Sequence, residues 1–408
     1  MNQPFRFIHA SDFHLERPPR GLSEVPDHLR SAFADAPYRA VERVFDAAIK
    51  ERVDFVAFAG DLIDPLLAGP RGLVFLNEQF ARLAEKEIKV YWAGGRSDNF
   101  ERWLEGWPLR AHVLRFPLNR VQRITHERGG EPLVQILGTS SGQRRKVRTA
   151  DFHADGSGLF SVAVAYGSTD PEVLARQAVS YWALGGEHCR RALLSGPIAA
   201  HYSGSPQGRR PQESGPHGCM LVQVDDALLI RTSFIPTDAI RFQNERIAVS
   251  DATTAEQLQQ ILDERSIELL GDPFGPELLV LWKIVGSGPL AGALRRGKLA
   301  GELTSRLRAE HGQKRPALWT VGVEGDFAAD TPEECGEETV LGEFLRTVRH
   351  YLDHADEPLD LEPYLAERHV AGSVASAVVM DEPGVRRRVL AEVATLGIEL
   401  LSPEEPGS

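Results

Sequence analysis

Short apolar runs bounded by turn residues alternate with longer stretches of helical spacing along the first part of this chain. Residues 5–8, 55–59 and 88–93 read as strands, because they are short, rich in aromatic and β-branched side chains, and closed by Gly, Ser or Asp. Between them, 38–52 puts Val41, Val44, Phe45, Ala48 and Ile49 on one helical face, and 73–86 does the same with Leu73, Leu76, Phe80 and Leu83. This β-α-β-α-β order predicts parallel strands joined by right-handed crossovers. Further strands are expected at 133–137 and 159–165, and Asp170-Pro171-Glu172 reads as an N-cap, a first-turn proline and a dipole-favouring acid opening a helix.

From about 181 to 249 the pattern changes to successive short strands, among them 220–224 and 228–235, with turn residues between them. A sheet built from β-α-β units followed by hairpins suits an α/β two-sheet sandwich flanked by helices. After Asp251 a helix (254–265), a strand (278–285), a helix (303–310) and a strand (318–323) predict a small α/β module. The acidic, proline-containing stretch 325–338 reads as a linker, followed by a helical tail near 340–352 and 385–401. The expected domains are therefore 1–250, an accessory domain 251–325, and 326–408 as linker and carboxy-terminal helices.

Composition narrows the class without fixing it. At 408 residues two or three domains and an ample core are expected. A net charge of -12 argues against sequence-blind nucleic-acid binding by the whole surface. Local basic stretches at 144–148, 209–210, 295–298 and 386–388 would make a DNA track only if they converged on one edge. Cys189, Cys219 and Cys335 form no C-x-x-C pair, the usage of a reducing cytosol. The first strand begins within about five residues, which leaves no room for a signal peptide, and no apolar run is long enough to span a membrane. A cytoplasmic protein is expected.

The chemistry lies at strand ends. Asp12 and His14 follow the first strand in Ser11-Asp12-Phe13-His14, and Asp61 follows the second in Gly60-Asp61-Leu62-Ile63-Asp64. Carboxyl ends of parallel strands are where open α/β sheets hold ligands. Two side chains two apart share a face of an extended segment. A carboxylate with an imidazole suits manganese, iron or zinc better than calcium. A Gly-Gly turn with Asp98 and the run Gly185-Gly186-Glu187-His188 follow later strands in the same way.

In this order the motifs resemble the calcineurin-like metallophosphoesterases. Tyr202-Ser203-Gly204-Ser205-Pro206-Gln207-Gly208-Arg209, followed by Gly218 and Leu221-Val222, is similar to the nuclease subunits of the SbcCD type and, among them, the YhaO-like DNA repair exonucleases. The resemblance implies two divalent metals sharing one aspartate. Asp12, His14, the bridging Asp61 and His188 match one metal's ligands completely. The other metal's positions are altered. Arg96 and Ser97 stand in Gly95-Arg96-Ser97-Asp98 where the family has G-N-H-D, Tyr166 replaces a histidine, and Gly186 replaces the first histidine of G-H-x-H.

One divalent ion, manganese by preference, is therefore the expected cofactor, with Asp64 and Asp98 as supporting acids. A buried, metal-free hydrogen-bonded cluster is the alternative for the four retained residues. Arg96 is expected to pair with Asp61 as a substitute for the second cation, or else to be an ordinary surface arginine. The resemblance implies an SMC-type coiled-coil ATPase partner, DNA and a homodimer. Two functions remain open: a scaffold or regulatory subunit with impaired catalysis, and a one-metal phosphodiesterase using Arg96. Action on a nucleotide or other small phosphoester is a third.

Overall fold

The structure is a computed structural model. It describes residues 2–354 apart from 23–24, 99–109, 142–145, 155, 251, 287–289, 291–292, 295–296 and 328–338, together with 357 and scattered positions from 386 to 401. Two six-stranded sheets form its centre. In the first, β1 (Phe5–Ala10), β2 (Phe55–Ala59), β3 (Lys89–Ala93) and β4 (Val113–Arg115) are parallel neighbours. The hairpin β11 (Gly218–Val224) and β12 (Ile230–Pro236) extends this sheet antiparallel to β1. In the second, β6 (Glu131–Gly138), β7 (Phe160–Tyr166), β8 (Tyr181–Gly185) and β10 (Ala199–Tyr202) run parallel. Antiparallel β5 (Gln122–Arg128) and β9 (Arg191–Leu194) close its two edges.

Side chains alternate across these strands, so each sheet has an inner and an outer core. Phe7, Phe55, Tyr91, Val134, Ile136, Val162, Val164 and Tyr181 fill the space between the sheets. Phe7 and Phe55 stack at 4.7 Å between centroids and Tyr181 meets Phe7 edge-on at 5.3 Å; such pairs contribute about 0.5–1.5 kcal/mol each beyond their buried area. Two polar side chains admitted there have partners. His9 contacts the Tyr181 hydroxyl and Leu184 O, both at 3.1 Å, and His126 contacts the Tyr91 hydroxyl at 2.9 Å. On the outer face of the first sheet, α1 (Asp27–Lys50) and α2 (Gly69–Ala84) bury Val41, Val44, Phe45, Leu73, Leu76 and Phe80.

Several boundaries differ from the sequence reading. Helix α1 begins eleven residues before 38 and passes through Pro37. The missing N–H of a proline normally ends a helix, but Leu29, Phe33 and Ala36 are buried against Ala239, Ile240 and Phe242, and that packing holds the first turns. Strands β4 and β5 were not predicted. The first has three residues, and in the second only Ile124 and His126 are turned away from solvent, so no apolar alternation appears. The 181–249 region is not a run of hairpins throughout, because β8 pairs parallel with both β7 and β10. Asp170 does cap a helix, α3 (Pro171–Ala175), accepting from Glu172 N.

Downstream come β13 (Ile240–Val249), α4 (Ala255–Leu269), β14 (Glu277–Gly286), α5 (Lys298–His311), β15 (Leu318–Phe327) and α6 (Val340–Asp353), with strand order β13-β14-β15. The expected linker beyond Phe327, Cys335 and about half of the expected helix 385–401 lie outside the described residues. By compactness the chain forms two units, one of Met1–Glu245, Leu262–Trp282 and Leu303–Gly322, the other of Arg246–Ile261, Lys283–Glu302 and Val323–Ser408. Every candidate site residue belongs to the first. No described helix is long and apolar enough to cross a membrane.

Candidate metal centre

The loops after β1 and β2 run side by side, because the parallel pairing continues past the strands. Asp12 N donates to Gly60 O, His14 N to Asp61 O and Leu15 N to Leu62 O, at 2.9, 3.0 and 3.3 Å. That zipper brings Asp12, His14 and Asp61 together. Their backbones are left-handed, with φ of 57°, 44° and 54°. The expectation that Asp12 and His14 share one face of an extended segment is thus corrected: the loop twists, and the twist aims them. Such φ values are uncommon outside glycine and cost about 1–3 kcal/mol each where the surroundings impose them.

Three side chains converge on one point. Ligand atoms of Asp12, His14 and His188 lie within 4.8 Å of one another, and Asp61 Oδ2 is 3.7 Å from His14 Nε2. Asp12 Oδ2 accepts from Ser11 Oγ at 2.6 Å and from Gly186 N at 2.9 Å, while Asp12 Oδ1 has no hydrogen-bond partner. Neither nitrogen of His14 has one either. Burying a polar atom without a partner is costly unless something else meets it. Burial next to Asp61 also holds Asp12 well above the usual carboxylate range, and burial lowers His14. A divalent ion would meet Asp12 Oδ1 and His14 Nε2 and offset the carboxylate repulsion, while His14 Nδ1 faces Glu16, so these residues fit one.

Around them lie residues that sequence reasoning missed. His188 Nδ1 is 2.9 Å from Glu213 Oε1. Burial would raise Glu213, but its bonds to His188 and to Arg209 N prevail and take it down to about 2. A carboxylate behind an imidazole fixes ring and tautomer, the usual support of a metal-binding histidine. Glu16 lies 3.7 Å from His14 Nδ1 and accepts from Asp64 N at 3.0 Å. Ser203 Oγ contacts Ser11 Oγ at 2.9 Å. The Arg209 guanidinium reaches His188. Glu16 extends D-x-H by one more alternate position, a signal that was there to read. Nothing in the sequence says which polar residues of the 203–213 loop turn inward.

On the other side, the altered positions are filled. Tyr166 donates its hydroxyl to Asp61 Oδ2 at 2.6 Å, and Ser97 N donates to Asp61 Oδ1 at 2.7 Å. These bonds and the nearby His14 outweigh burial and lower Asp61. The Tyr166 ring lies against Gly60 and Gly186, where an added Cβ would come within 2.6 Å and 3.3 Å of it. Both glycines have positive φ, 90° and 105°. Ser97 is buried. Arg96, expected to pair with Asp61, is exposed, and no ion pair of the described residues joins the two. Its substitute role is therefore corrected: Tyr166 and Ser97 hold Asp61, and a neutral hydroxyl takes the oxygen assigned to the arginine.

The supporting acids do distinct work. Asp98 accepts from Asp61 N, Leu62 N, Gly95 N and Trp92 Nε1 at 3.1, 3.0, 2.5 and 3.0 Å, tying the Gly95 loop to the Asp61 loop. Burial, with Asp61 nearby, pushes it up to about 7. Asp64 accepts from Leu66 N at 3.1 Å and shapes the turn before α2. His153 is exposed, whereas His201 and His217 are buried. His201 is on β10, and His217 bonds Ser205 Oγ at 3.0 Å.

The two-sheet sandwich, with Asp12, His14, Asp61 and His188 gathered at the carboxyl ends of β1, β2 and β8, is consistent with a metallophosphoesterase fold. Residues 5–203 match the family model described as Calcineurin-like phosphoesterase. That match spans just under half of the chain. A curated relative, the Uncharacterized metallophosphoesterase YhaO of Bacillus subtilis (strain 168), is 28% identical over 274 residues, 63% of this chain and 66% of that protein. The chain thus aligns with just under two thirds of that relative's length. Among solved structures, a dimetal phosphatase from Danio rerio has a TM-score of 0.35 and 10% identity, covering 56% of this chain and 98% of that one. A conserved uncharacterized protein of Streptococcus pneumoniae TIGR4, titled a predicted phosphoesterase, has a TM-score of 0.25 and 15% identity, covering 58% and 100%.

Proposed function

We propose that this chain is a DNA repair exonuclease-like phosphoesterase homologue that holds one divalent ion and hydrolyses phosphodiesters poorly, acting as a scaffold or regulatory subunit. The observation that carries the reading is Tyr166, whose hydroxyl caps Asp61 and whose ring packs on Gly60 and Gly186. Two ions clamp the attacking and leaving oxygens of an in-line displacement, and without the second, half of that clamp is missing. Asp12, His14, Asp61 and His188 would hold the remaining ion, which supplies Lewis-acid polarisation of a phosphoryl oxygen. Ser97 stands where the resemblance expects a histidine acid, and loss of a general acid costs about 10²- to 10⁴-fold. The exposed Arg96 gives no support to the one-metal enzyme. An SMC-type ATPase, DNA and a second copy of the chain are the partners this reading carries over from the resemblance.

Steady-state hydrolysis of bis(p-nitrophenyl) phosphate and of linear DNA with manganese tests the proposal. Turnover near background is expected. Robust turnover lost in Asp61→Asn would overturn it in favour of a working enzyme.

A further inference from the structure

Arg209 is 7% exposed, and its guanidinium lies against the cluster just described. Its Nη2 is 2.7 Å from His188 Nε2 and 2.9 Å from His188 Nδ1. The two distances decide how it bonds. Glu213 is held as a carboxylate, which only accepts, so the Nδ1 that faces it at 2.9 Å carries the proton. Nδ1 then has no lone pair for Arg209. The hydrogen bond left open to the guanidinium is the one to Nε2. With Nδ1 committed to Glu213, Nε2 is the nitrogen left to bind an ion. An imidazole nitrogen has a single lone pair, so it serves a guanidinium or a metal and never both.

On the reading that Asp12, His14 and His188 form a one-metal site, we propose that Arg209 is a latch on that site. In the metal-free protein its guanidinium takes the ion's place at His188, and an ion enters fully only by displacing it. The main chain of Arg209 is anchored, N to Glu213 Oε2 at 2.8 Å and O to Arg20 N at 2.7 Å, so the moving part is the side chain. Its Nε is buried without a hydrogen-bond partner, so the contact of the head with His188 runs through Nη2. Glu213 thus binds both alternatives, orienting His188 with one oxygen and positioning the arginine main chain with the other. The cation that the sequence suggested at Arg96 exists, but it faces the intact half of the site.

Titration calorimetry of manganese into the metal-stripped full chain tests this without any substrate. Arg209→Met, which keeps the bulk and removes the charge, is expected to bind manganese at least about 10-fold tighter than the wild type, a difference of about 1.4 kcal/mol. Equal or weaker binding by the folded variant overturns the latch while leaving the one-metal reading intact. No binding by either protein overturns both. Should Arg209→Met fail to fold, a crystal structure of the wild type with manganese decides. An ion on His188 with the guanidinium withdrawn from Nε2 supports the latch, and an ion on Asp12 and His14 with the Arg209–His188 bond unbroken refutes it.

Discussion

On the side of the site built by the loops after β1 and β8, three buried polar atoms, Asp12 Oδ1 and both nitrogens of His14, lack hydrogen-bond partners. On the side built by the end of β7, Asp61 is met by a backbone N–H and a phenol, and an aromatic ring lies on two glycines. Both sides are buried and both line the same sheet edge. What separates them is satisfaction. A half left wanting a partner is a half shaped for an ion, whereas one whose acceptors are filled and whose space is packed needs none. On the proposed reading catalysis would be lost without loss of the fold, because Tyr166 meets Asp61 through a hydrogen bond and apolar contact.

The largest expected effect comes from making the two halves alike. Arg96→Asn, Ser97→His, Tyr166→His and Gly186→His together should raise phosphodiester hydrolysis by about 10²- to 10⁴-fold, the range of a restored general acid, and raise bound manganese from one ion to two. Because Gly186 has φ of 105°, the fourth change strains the backbone, so the triple variant without it is measured alongside. An unchanged rate in a folded variant that binds two ions would break the comparison.

Weakening the intact half gives the next effect. Glu213→Gln, which loosens the orientation of His188, should lower manganese affinity about 10- to 100-fold by calorimetry. The same affinity as wild type would mean that Glu213 does not support a ligand. The filled half responds differently. Tyr166→Phe removes one donor from a charged acceptor and should cost about 1.5–3 kcal/mol in a urea melt, with manganese affinity nearly unchanged. A large gain in metal binding would show that the phenol, and not the lost ligands, excludes the second ion.

The last effect, confined to acid pH, lies away from the site. Burial lowers His126 to about 4 from 6.5, so the unfolded chain binds more protons than the folded one between these values. Stability is therefore fully present above pH 6.5 and declines as pH falls towards 4, with a limiting slope of about 1.4 kcal/mol per pH unit for that group. His126→Phe should flatten urea-melt stability across this window, and an unaltered slope would contradict the assignment.

The sequence made the sheet edge legible because its signals are local. Strand, turn and acid follow one another within ten residues at both Asp12 and Asp61, and the backbone zipper of β1 with β2 does the rest. Tyr166 could be placed for the same reason, at the end of an apolar run. Arg96 and Arg209 could not be told apart, since both stand in polar loops and the choice between solvent and site is made by tertiary packing. Helix α1 was misjudged at Pro37 because the burial that overrides the proline involves Ile240 and Phe242, two hundred residues away.

The most direct measurement is anomalous diffraction at the manganese edge from crystals of the wild-type chain at saturating metal. The account predicts one ion, ligated by Asp12, His14, Asp61 and His188, with the Tyr166 hydroxyl still on Asp61. Two ions flanking Asp61 at full occupancy, or no ion at all, would contradict it.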